Sequence, residues 1–468
     1  MMTGGFKTFI LTAAAFFAAV SASAASAPKY VFLLIGDGMS VPQRMVAGEF
    51  SRKVYGRTLA MNHMPFTAMT RTCSADSLIT DSAAAATAIA CGQKTNNHFS
   101  GVNPDGKPLE SCAVLAKRAG KKVGIVTTVT ITHATPAGFY AHRQSRGDIE
   151  GIAADLAASG FDLFAGGGLE VDRHKSQAYE NAEKAGYRIV RKRDEFLALK
   201  PAEGARILTR FTNGPLSAAI DRDAAVAEKQ PTLAELVTKS IELLDGEAGF
   251  FLMAEGGRID WAGHSNDAAT NLRDVIAFDE AVEVALDFQK RHPDETLVVV
   301  TGDHETGGLS MGFAGTGYSL YVERLAHQKM SVEKFGEAVQ RFFAADLPRK
   351  FDDFKPLVED AFGLKFAGED AMTLTVAEAD SIRGAFDHDL AFALARKAGA
   401  EEQFAGEKRM TLPDVCRLTL AHKSGLGWSS GAHTAMPVMT TAIGVGAENF
   451  NGFIENTDIA RILKSFYP

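Results

Sequence analysis

A serine at the predicted start of a helix offers one possible nucleophile. Ser82 follows Thr80 and Asp81 and precedes four alanines. Because the N–H groups and dipole at a helix N-terminus stabilise an anion, a phosphate attached to this serine would be favoured. The small alanines leave room for such a bulky, charged group. An ordinary helix cap is the alternative interpretation, since Asp and Ser are both favoured capping residues.

Acidic and histidine residues farther along the chain have spacings that suit divalent cations. Asp260 and His264 are four residues apart and share one face if this segment is helical, and Glu255 precedes them. An aspartate and a histidine one turn apart suit zinc, although a salt-bridged surface turn is the alternative. Further oxygen and imidazole ligands are offered by Asp37, Asp303, His304 and His433.

The combination of these residues is more informative than any one of them. Asp37 between two glycines is by itself an ordinary turn residue, and a lone histidine is more often structural. Around one serine, these residues are numerous enough to form two zinc sites and a third, oxygen-rich site for a harder cation. Two metals about 3.5–4 Å apart can clamp the attacking and leaving oxygens of phosphoryl transfer.

Short apolar runs predict the elements that position these side chains. Strands are expected over residues 30–35, 123–128, 250–253, 297–300 and 438–443. Helices are expected over residues 109–119, 232–244 and 268–289. Alternating strands and helices predict an α/β fold, a three-layer sandwich around a mostly parallel central sheet.

Four of the predicted strands run directly into small and polar residues. Ligands of open α/β sheets bind beyond the carboxyl ends of the strands, so these residues should converge. In chain order they are Asp37, His133 with Thr135, Glu255, and Asp303 with His304.

The chain begins with the pattern of a secretory signal. Lys7 is followed by an apolar run over residues 8–20 and by small residues in two A-x-A patterns. The run is shorter than the roughly 20 residues of a membrane span, so cleavage is preferred over anchoring. We expect a signal peptide over residues 1–27 and a periplasmic or secreted protein. Residues 28–468 form one domain, with a helix-rich insertion or cap over about 318–419.

Composition excludes several other classes of protein. The 468 residues are 46% hydrophobic and 23% charged, which is typical of a folded globular chain. A net charge of -8 disfavours general binding to nucleic acid. No stretch after the leader predicts a membrane span. The four cysteines allow a disulfide, but buried free thiols are an equally good interpretation.

On these motifs the sequence resembles the alkaline phosphatases, from residue 31 to beyond residue 433. The combined set is very specific, although each motif alone is weak. The segments that carry the resemblance are Gly36-Asp37-Gly38-Met39, Thr80-Asp81-Ser82-Ala83, Thr132-His133-Ala134-Thr135-Pro136-Ala137, Glu255 with Asp260 and His264, the run from Gly302 to Gly308, and Ala432-His433-Thr434.

The resemblance implies a role for each matching residue. Ser82 matches the serine that becomes phosphorylated. The ligands of one zinc match Asp260, His264 and His433. Those of the second zinc match Asp37, Asp303 and His304. A magnesium would be held by Asp37, Thr135 and Glu255.

Arg146 matches the family's phosphate-binding arginine because it lies eleven residues after Thr135. Its planar guanidinium suits two phosphate oxygens at once. Without that spacing, a solvated surface charge would be the simpler interpretation.

Two positions depart from the pattern of the enteric bacterial enzymes. His133 stands where that pattern has aspartate, and Trp261 stands where it has lysine. His133 is therefore a candidate ligand of the third metal or of a water beside it, and Trp261 is a candidate for the same site or for the layer of residues around it. The departures leave the identity of that metal open and remove a lysine that would help to hold phosphate.

The resemblance implies a homodimeric, metal-dependent enzyme that hydrolyses small phosphate monoesters through a phosphoserine. A phosphodiesterase of the wider superfamily is the first alternative, and Ser82 with Thr135 and Glu255 argues against it. An exported metal- or phosphate-binding protein without turnover is the second. The serine at a helix start and Arg146 argue against this second alternative, because storage of metal or phosphate needs neither.

Overall fold

The predicted apolar runs form the centre of one large sheet. The computed structural model describes residues 27–171, 175–202, 204–344, 350–404 and 409–467. The predicted signal peptide lies almost wholly outside these ranges and stays a prediction. The strands of the described residues are β1 (Tyr30–Gly36), β2 (Phe66–Arg71), β3 (Lys122–Thr127), β4 (Leu163–Ala165), β5 (Tyr187–Val190), β6 (Arg206–Thr209), β7 (Phe250–Glu255), β8 (Thr296–Gly302), β9 (Glu305–Thr306), β10 (Leu309–Ser310), β11 (Gly427–Trp428), β12 (His433–Thr434), β13 (Val438–Gly444) and β14 (Gly452–Glu455).

Ten of these strands make the sheet, in the order β14-β2-β13-β8-β1-β7-β3-β4-β6-β5. Neighbours are parallel except at β13, which runs antiparallel to both β8 and β2. The four short strands pair as β9 with β12 and β10 with β11. The sheet is therefore mostly parallel, as predicted.

Helices cover both faces of this sheet. They are α1 (Val41–Phe50), α2 (Ser82–Cys91), α3 (Cys112–Arg118), α4 (Ala134–Ala137), α5 (Ile149–Ser159), α6 (Ala178–Lys184), α7 (Arg193–Ala198), α8 (Ala224–Lys229), α9 (Leu233–Leu244), α10 (Arg258–His264), α11 (Ala268–Arg291), α12 (Val332–Ala344), α13 (Phe351–Phe362), α14 (Val376–Lys397), α15 (Leu412–Lys423) and α16 (Asn456–Lys464).

The alternation of side chains along β1 divides the core into two layers. Phe32 and Leu34 face a core shared with α1, α9 and α11. Leu33 and Ile35 face the opposite core, shared with α3, α5 and α16. Successive side chains of a strand point to opposite faces, so a strand that is apolar throughout must be covered on both. The predicted three-layer α/β fold is confirmed.

One predicted helix boundary is wrong. The helix expected over residues 109–119 begins three residues later, at Cys112. Ser111 caps it, because its hydroxyl accepts a hydrogen bond from Val114 N at 3.1 Å. Leu109 N instead donates to Gly101 O at 2.8 Å, which holds the preceding residues in a loop.

The stretch over residues 318–419 contains α12, α13, α14 and most of α15. Its described residues contribute no strand to the large sheet. Phe335 and Phe354 join the core that lies under α11. The bounds of this stretch as an insertion stay a prediction.

All four cysteines are free thiols, and three of them are buried. The disulfide that the sequence left open is not formed. Across the described ranges, none of the helices is both long and apolar enough to span a membrane.

Candidate active site

Three carboxylates meet where neighbouring strands of the sheet end. Strands β8, β1 and β7 lie side by side and parallel. Gly36 pairs with Gly302, so the chain leaves β1 into Asp37 at the same level at which it leaves β8 towards Asp303. Glu255 is the last residue of β7. The convergence expected from the strand ends is present.

The carboxylates of Asp37, Glu255 and Asp303, here called the acidic cluster, are fully buried. Within the described part of the chain, one oxygen of each has no hydrogen-bond partner: Asp37 Oδ1, Glu255 Oε1 and Asp303 Oδ2. A buried carboxylate oxygen without a partner is costly. Hard, unpartnered oxygens that face one another fit the donor set of a divalent cation.

The charges of the acidic cluster are not balanced by the protein alone. Burial raises the pKa of Glu255 to about 8 and that of Asp303 to about 7. Burial also raises the pKa of Asp37 well above its usual range, and the neighbouring carboxylates add to the shift. A bound cation would favour the charged forms and reverse these shifts.

Two residues around α4 complete the oxygen-rich side of this cluster. The Thr135 hydroxyl donates to Asp37 Oδ2 at 3.4 Å. His133 Nδ1 is 4.0 Å from Glu255 Oε1 and has no hydrogen-bond partner among the described residues. Burial, and then the charge of Arg146, lowers the pKa of His133 to about 4, so its imidazole is neutral and able to bind a metal.

Asp260, His264 and His433 form a second group, here called the histidine cluster. Helix α10 places the first two one turn apart, and β12 supplies the third. His264 Nε2 is 3.4 Å from Asp260 Oδ2 and 3.1 Å from His433 Nε2. His433 Nε2 is 3.5 Å from Asp260 Oδ1. Each pair of these residues therefore has ligand atoms within 3.5 Å, with Asp260 turning a different oxygen towards each histidine.

Backbone carbonyls orient both imidazoles of the histidine cluster. His264 Nδ1 donates to Gly431 O at 2.8 Å, and His433 Nδ1 donates to Thr80 O at 2.8 Å. A carbonyl oxygen only accepts, so the proton of each neutral ring lies on Nδ1. The Nε2 lone pairs are left for a metal, as is usual for histidine ligands.

Asp260 differs from the acidic cluster in its electrostatic surroundings. Burial alone would raise its pKa, but the hydrogen bond from His433 and the nearby His304 and His264 hold the pKa well below the usual range. The pKa of His433 is raised, because its contact with Asp260 outweighs the effect of burial. Without a metal, a second proton on the His433 ring would therefore balance the charge of Asp260 inside the cluster.

Ser82 lies beside both clusters as the first residue of α2. The side chain of Asp81 caps the helix by accepting from Ala84 N at 3.0 Å. Ser82 Oγ is 3.1 Å from His304 Nε2, which is also 3.3 Å from Asp303 Oδ2 and close to Asp37. The serine therefore lies next to candidate metal ligands, with the helix N-terminus available for an attached anion.

The alanines of α2 also allow close packing against a neighbouring helix. All ten residues of α2 are buried. A Cβ added at Gly138, just after α4, would lie 2.8 Å from Ala86 Cβ. Small residues on both helices bring α2 against α4, which carries Thr135. This packing role adds to the space for phosphate that small residues after Ser82 are expected to leave.

Three groups of side chains have ligand atoms close enough to share a cation. Two contain Asp37, in agreement with the bridging position that the resemblance implies. The third contains His304 with Asp260 and His433, which joins the two clusters. The groups are Asp37–Asp303–His304, Asp37–His133–Glu255 and Asp260–His304–His433.

Arg146 lies against Asp81, the residue before Ser82, and two side chains hold its guanidinium. Nη1 donates to Asp81 Oδ2 at 3.1 Å, and Nη2 lies 3.3 Å from His133 Nε2. The backbone N–H of Arg146 donates to His98 O at 2.7 Å. His98 has a φ of 74°, a left-handed conformation that is rare outside glycine.

Trp261 does not reach a ligand group but lies against one. Its ring meets the His133 ring edge to face, with centroids 6.1 Å apart. The guanidinium of Arg258 lies over the indole at 4.9 Å from its centroid. The structure therefore brings the two departures from the enteric pattern together.

Sequence reasoning missed three supporting contacts. Asp81, read only as a cap, also holds Arg146. The hydroxyl of Thr127 donates to Glu255 Oε2, and that of Thr306 donates to Asp260 Oδ1 at 2.5 Å. A threonine at the end of a strand beside a candidate ligand was the available signal, because a hydroxyl there can reach a neighbouring carboxylate.

The comparison with known proteins agrees with this geometry. The model of the family described as alkaline phosphatase matches residues 28–467. The chain belongs to the alkaline phosphatase family. It is 33% identical to alkaline phosphatase 4 of Bacillus subtilis (strain 168) over 450 residues, which covers 92% of this chain and 87% of the relative. It is 30% identical to the repressible alkaline phosphatase of Saccharomyces cerevisiae over 498 residues, covering 95% and 82%.

Solved alkaline phosphatases share the fold. The cold-active enzyme of the psychrophile Shewanella sp. superposes with a TM-score of 0.78 at 28% identity, covering 94% of this chain and all of that one. The Thermus thermophilus enzyme gives 0.74 at 29% identity, covering 94% and 91%. This alkaline phosphatase is a phosphoric monoester hydrolase of a metal-dependent family, as the sequence predicted.

Proposed function

We propose that Ser82 is the nucleophile of this alkaline phosphatase and that Arg146 binds the phosphoryl group. The observation that carries the proposal is the position of Ser82 Oγ, at the start of α2 and 3.1 Å from His304 Nε2. An attached phosphate would lie between the helix N-terminus and the candidate metal ligands. Both stabilise negative charge where it develops.

Two Zn²⁺ and one Mg²⁺ are proposed for three ligand sets that overlap the groups described above and differ from them in using His264 in place of His304 beside Asp260 and His433. The histidine cluster would hold one zinc. Asp37, Asp303 and His304 would hold the other. Asp37, Thr135 and Glu255 would hold the magnesium, with His133 as a further ligand. When bound, the cations would lower the pKa of the serine hydroxyl and of a water, and neutralise charge on the phosphoryl oxygens.

The chain's own residues carry the bond changes. Ser82 Oγ loses its proton and forms a bond to phosphorus as the bond to the leaving oxygen breaks, and the leaving oxygen takes up one proton, so that the alcohol departs with no net change in protons. Water then loses a proton and forms a bond to phosphorus as the bond to Ser82 Oγ breaks; Ser82 Oγ takes up one proton, and inorganic phosphate is released. Arg146, held by Asp81 and His133, keeps two phosphoryl oxygens in place through both halves.

The test compares two serines that both stand at helix starts. Ser82→Ala should abolish the acid-stable phosphoenzyme formed with a radiolabelled monoester, while metal content, measured by mass spectrometry, stays at three ions per chain. Ser111 caps α3 away from the site, so Ser111→Ala should lower stability and keep the phosphoenzyme. A phosphoserine that survives Ser82→Ala would refute the assignment.

The metal assignment and the substrate class have separate tests. Metal analysis before and after chelation should return zinc and magnesium near two to one, with activity lost on chelation and restored by both metals together. Matched mono- and diesters of one chromogenic alcohol should show faster hydrolysis of the monoester. Faster hydrolysis of the diester would contradict the proposed substrate class and would indicate a phosphodiesterase.

We also propose that the protein is exported, to the periplasm or beyond, and works as a homodimer on small phosphomonoesters, with no membrane or nucleic-acid partner. The leader over residues 1–27 supports export. Cell fractionation with a cytoplasmic marker tests the location. Light scattering coupled to gel filtration tests the dimer, and a mass near the chain's 50.0 kDa would contradict it.

A further inference from the structure

Arg258 is a nearly buried cation that links helix α10 to the helix-rich stretch. Only 8% of its side chain is exposed. Its Nη2 donates to Glu333 Oε2 at 2.8 Å, although the two residues are 75 positions apart. Glu333 stands in the first turn of α12. The backbone N–H of Arg258 donates to Thr128 Oγ1 at 3.2 Å, next to the end of β3. Arg258 is therefore held at both ends.

The flat face of the Arg258 guanidinium covers Trp261. Its Cζ lies 4.9 Å from the centre of the indole, within the range of a cation–π contact. The two residues are three positions apart in α10, which places them on adjacent parts of one helix face. Because Trp261 is only partly buried, the guanidinium supplies one of the walls that limit the positions of its ring.

The other side of Trp261 faces the site. Its ring meets His133 edge to face at 6.1 Å, and His133 Nε2 lies 3.3 Å from Arg146 Nη2. An unbroken series of side-chain contacts therefore runs from α12 to the arginine proposed to bind phosphate. In order, its members are Glu333, Arg258, Trp261, His133 and Arg146.

We propose that Arg258, fixed by Glu333, is a positioning residue that holds Trp261 against His133 and thereby sets the orientation of Arg146. The proposal rests on the phosphate-binding role of Arg146 given above. The helix-rich stretch then tunes phosphate affinity, because α12 supplies the carboxylate that holds the first member of the series.

A purely structural ion pair makes different predictions. It would stabilise the packing of α12 on α10 and change the unfolding temperature when broken. It would leave the surroundings of Trp261 and the affinity for phosphate as they are. A positioning role changes both, because the indole and the Arg146 guanidinium move together.

The chain has two tryptophans, which gives a direct reporter. Trp428→Phe leaves Trp261 as the single emitter. In that background, Glu333→Gln removes the charge and keeps the shape, and Arg258→Lys keeps the charge and removes the planar face. The matched control is Glu337→Gln, one turn farther along α12, where the carboxylate pairs with the exposed Arg341.

We expect Glu333→Gln and Arg258→Lys to shift the Trp261 emission maximum to longer wavelength. The same variants should raise KM and the inhibition constant of inorganic phosphate by about three- to tenfold, with kcat within about twofold. Glu337→Gln should change neither reading. Unchanged emission in both variants overturns the proposal, and so does shifted emission with an unchanged phosphate constant.

If the Trp428→Phe protein does not fold, a second measurement tests the proposal. In the native background, Glu333→Gln and Trp261→Phe are combined, and the phosphate inhibition constant is measured for both single variants and the double variant. The proposal requires an effect of the double variant smaller than the product of the single effects. Independent effects overturn it. If the role of Arg146 itself were wrong, Arg146→Ala would leave the phosphate constant unchanged, which separates that failure from this one.

Discussion

The acidic cluster and the histidine cluster both border Ser82, yet their charges are balanced in different ways. In the acidic cluster, three fully buried carboxylates each keep an unpartnered oxygen, and burial raises their pKa values. In the histidine cluster, Asp260 accepts from Thr306 and lies among imidazoles that lower its pKa. One cluster needs a cation from outside, and the other contains its own counter-charges.

The two clusters therefore differ in how much the loss of a bound metal should destabilise the protein. Carbonyls preset the imidazoles of the histidine cluster, so its ligand atoms keep their places when the metal leaves. The acidic cluster keeps its repulsion whenever it is empty and ionised. Removing metal should therefore destabilise the protein mainly through the acidic cluster.

The largest expected effect comes from Asp37, which belongs to two of the three ligand groups. Asp37→Asn should lower kcat/KM at least about a hundredfold, because it weakens two metal sites at once. In the chelated protein, the same change should raise the free energy of unfolding by about 1–3 kcal/mol, since one of three repelling carboxylates is neutralised. Enzyme assays and urea unfolding in chelator measure the two effects. A loss of stability in chelator would contradict the account of the acidic cluster.

Asp260→Asn should have the opposite effect on stability. It removes the carboxylate that counters His433 and His264, so the chelated protein should lose about 1–3 kcal/mol of unfolding free energy. Activity should fall as well, because one of the proposed zinc ligands is lost. Urea unfolding of the Asp37 and Asp260 variants side by side checks the sign. If the free energy of unfolding changes in the same direction in both variants, the two clusters are not balanced in different ways.

The pH dependence of the chelated protein follows from the raised pKa values of Glu255 and Asp303. A carboxylate whose pKa is higher in the folded than in the unfolded state binds more protons when folded, so stability falls as pH rises. The fall should run from about pH 4 to about pH 8, the interval between the usual carboxyl pKa values and the raised pKa values of Asp303 and Glu255. Thermal unfolding across this range, with and without divalent metals, measures it. Saturating metal should flatten the curve, and a rise of stability with pH in chelator would contradict the prediction.

Much of this comparison could be predicted from the sequence, for a local reason. An apolar run followed at once by an acid or a histidine marks a strand end, and parallel neighbours then bring those ends together. Asp37, Glu255 and Asp303 were found in that way. The positions of Thr127 and Thr306 at strand ends mark them as supporting residues, but the ligand that each one contacts depends on which strand or loop faces it. The pairing of Asp81 with Arg146 is likewise set by the fold, which brings α2 to the segment after α4.

The smallest effect is expected at His98, which lies outside both clusters and supports the backbone of Arg146. Glycine adopts the left-handed conformation freely, so His98→Gly should keep the local backbone and stabilise the protein by about 1 kcal/mol. The hydrogen bond from Arg146 N to the carbonyl is kept, so kcat/KM should stay within about threefold. Thermal unfolding and steady-state kinetics check both. His98→Val, whose branched side chain opposes this conformation, is the control and should lose both stability and activity.

The antiparallel strand β13 has a consequence for the making of the protein. It joins β2, near the beginning of the chain, to β8 in the middle, so the sheet closes only when the last strands have been synthesised. His433 arrives with that closing segment. Contacts this distant in sequence form late, because a long loop must be ordered before they are gained. If the chain is exported before it folds, as proposed, it would therefore complete its proposed set of metal ligands at its destination, and the supply of metal there would govern how much active enzyme accumulates.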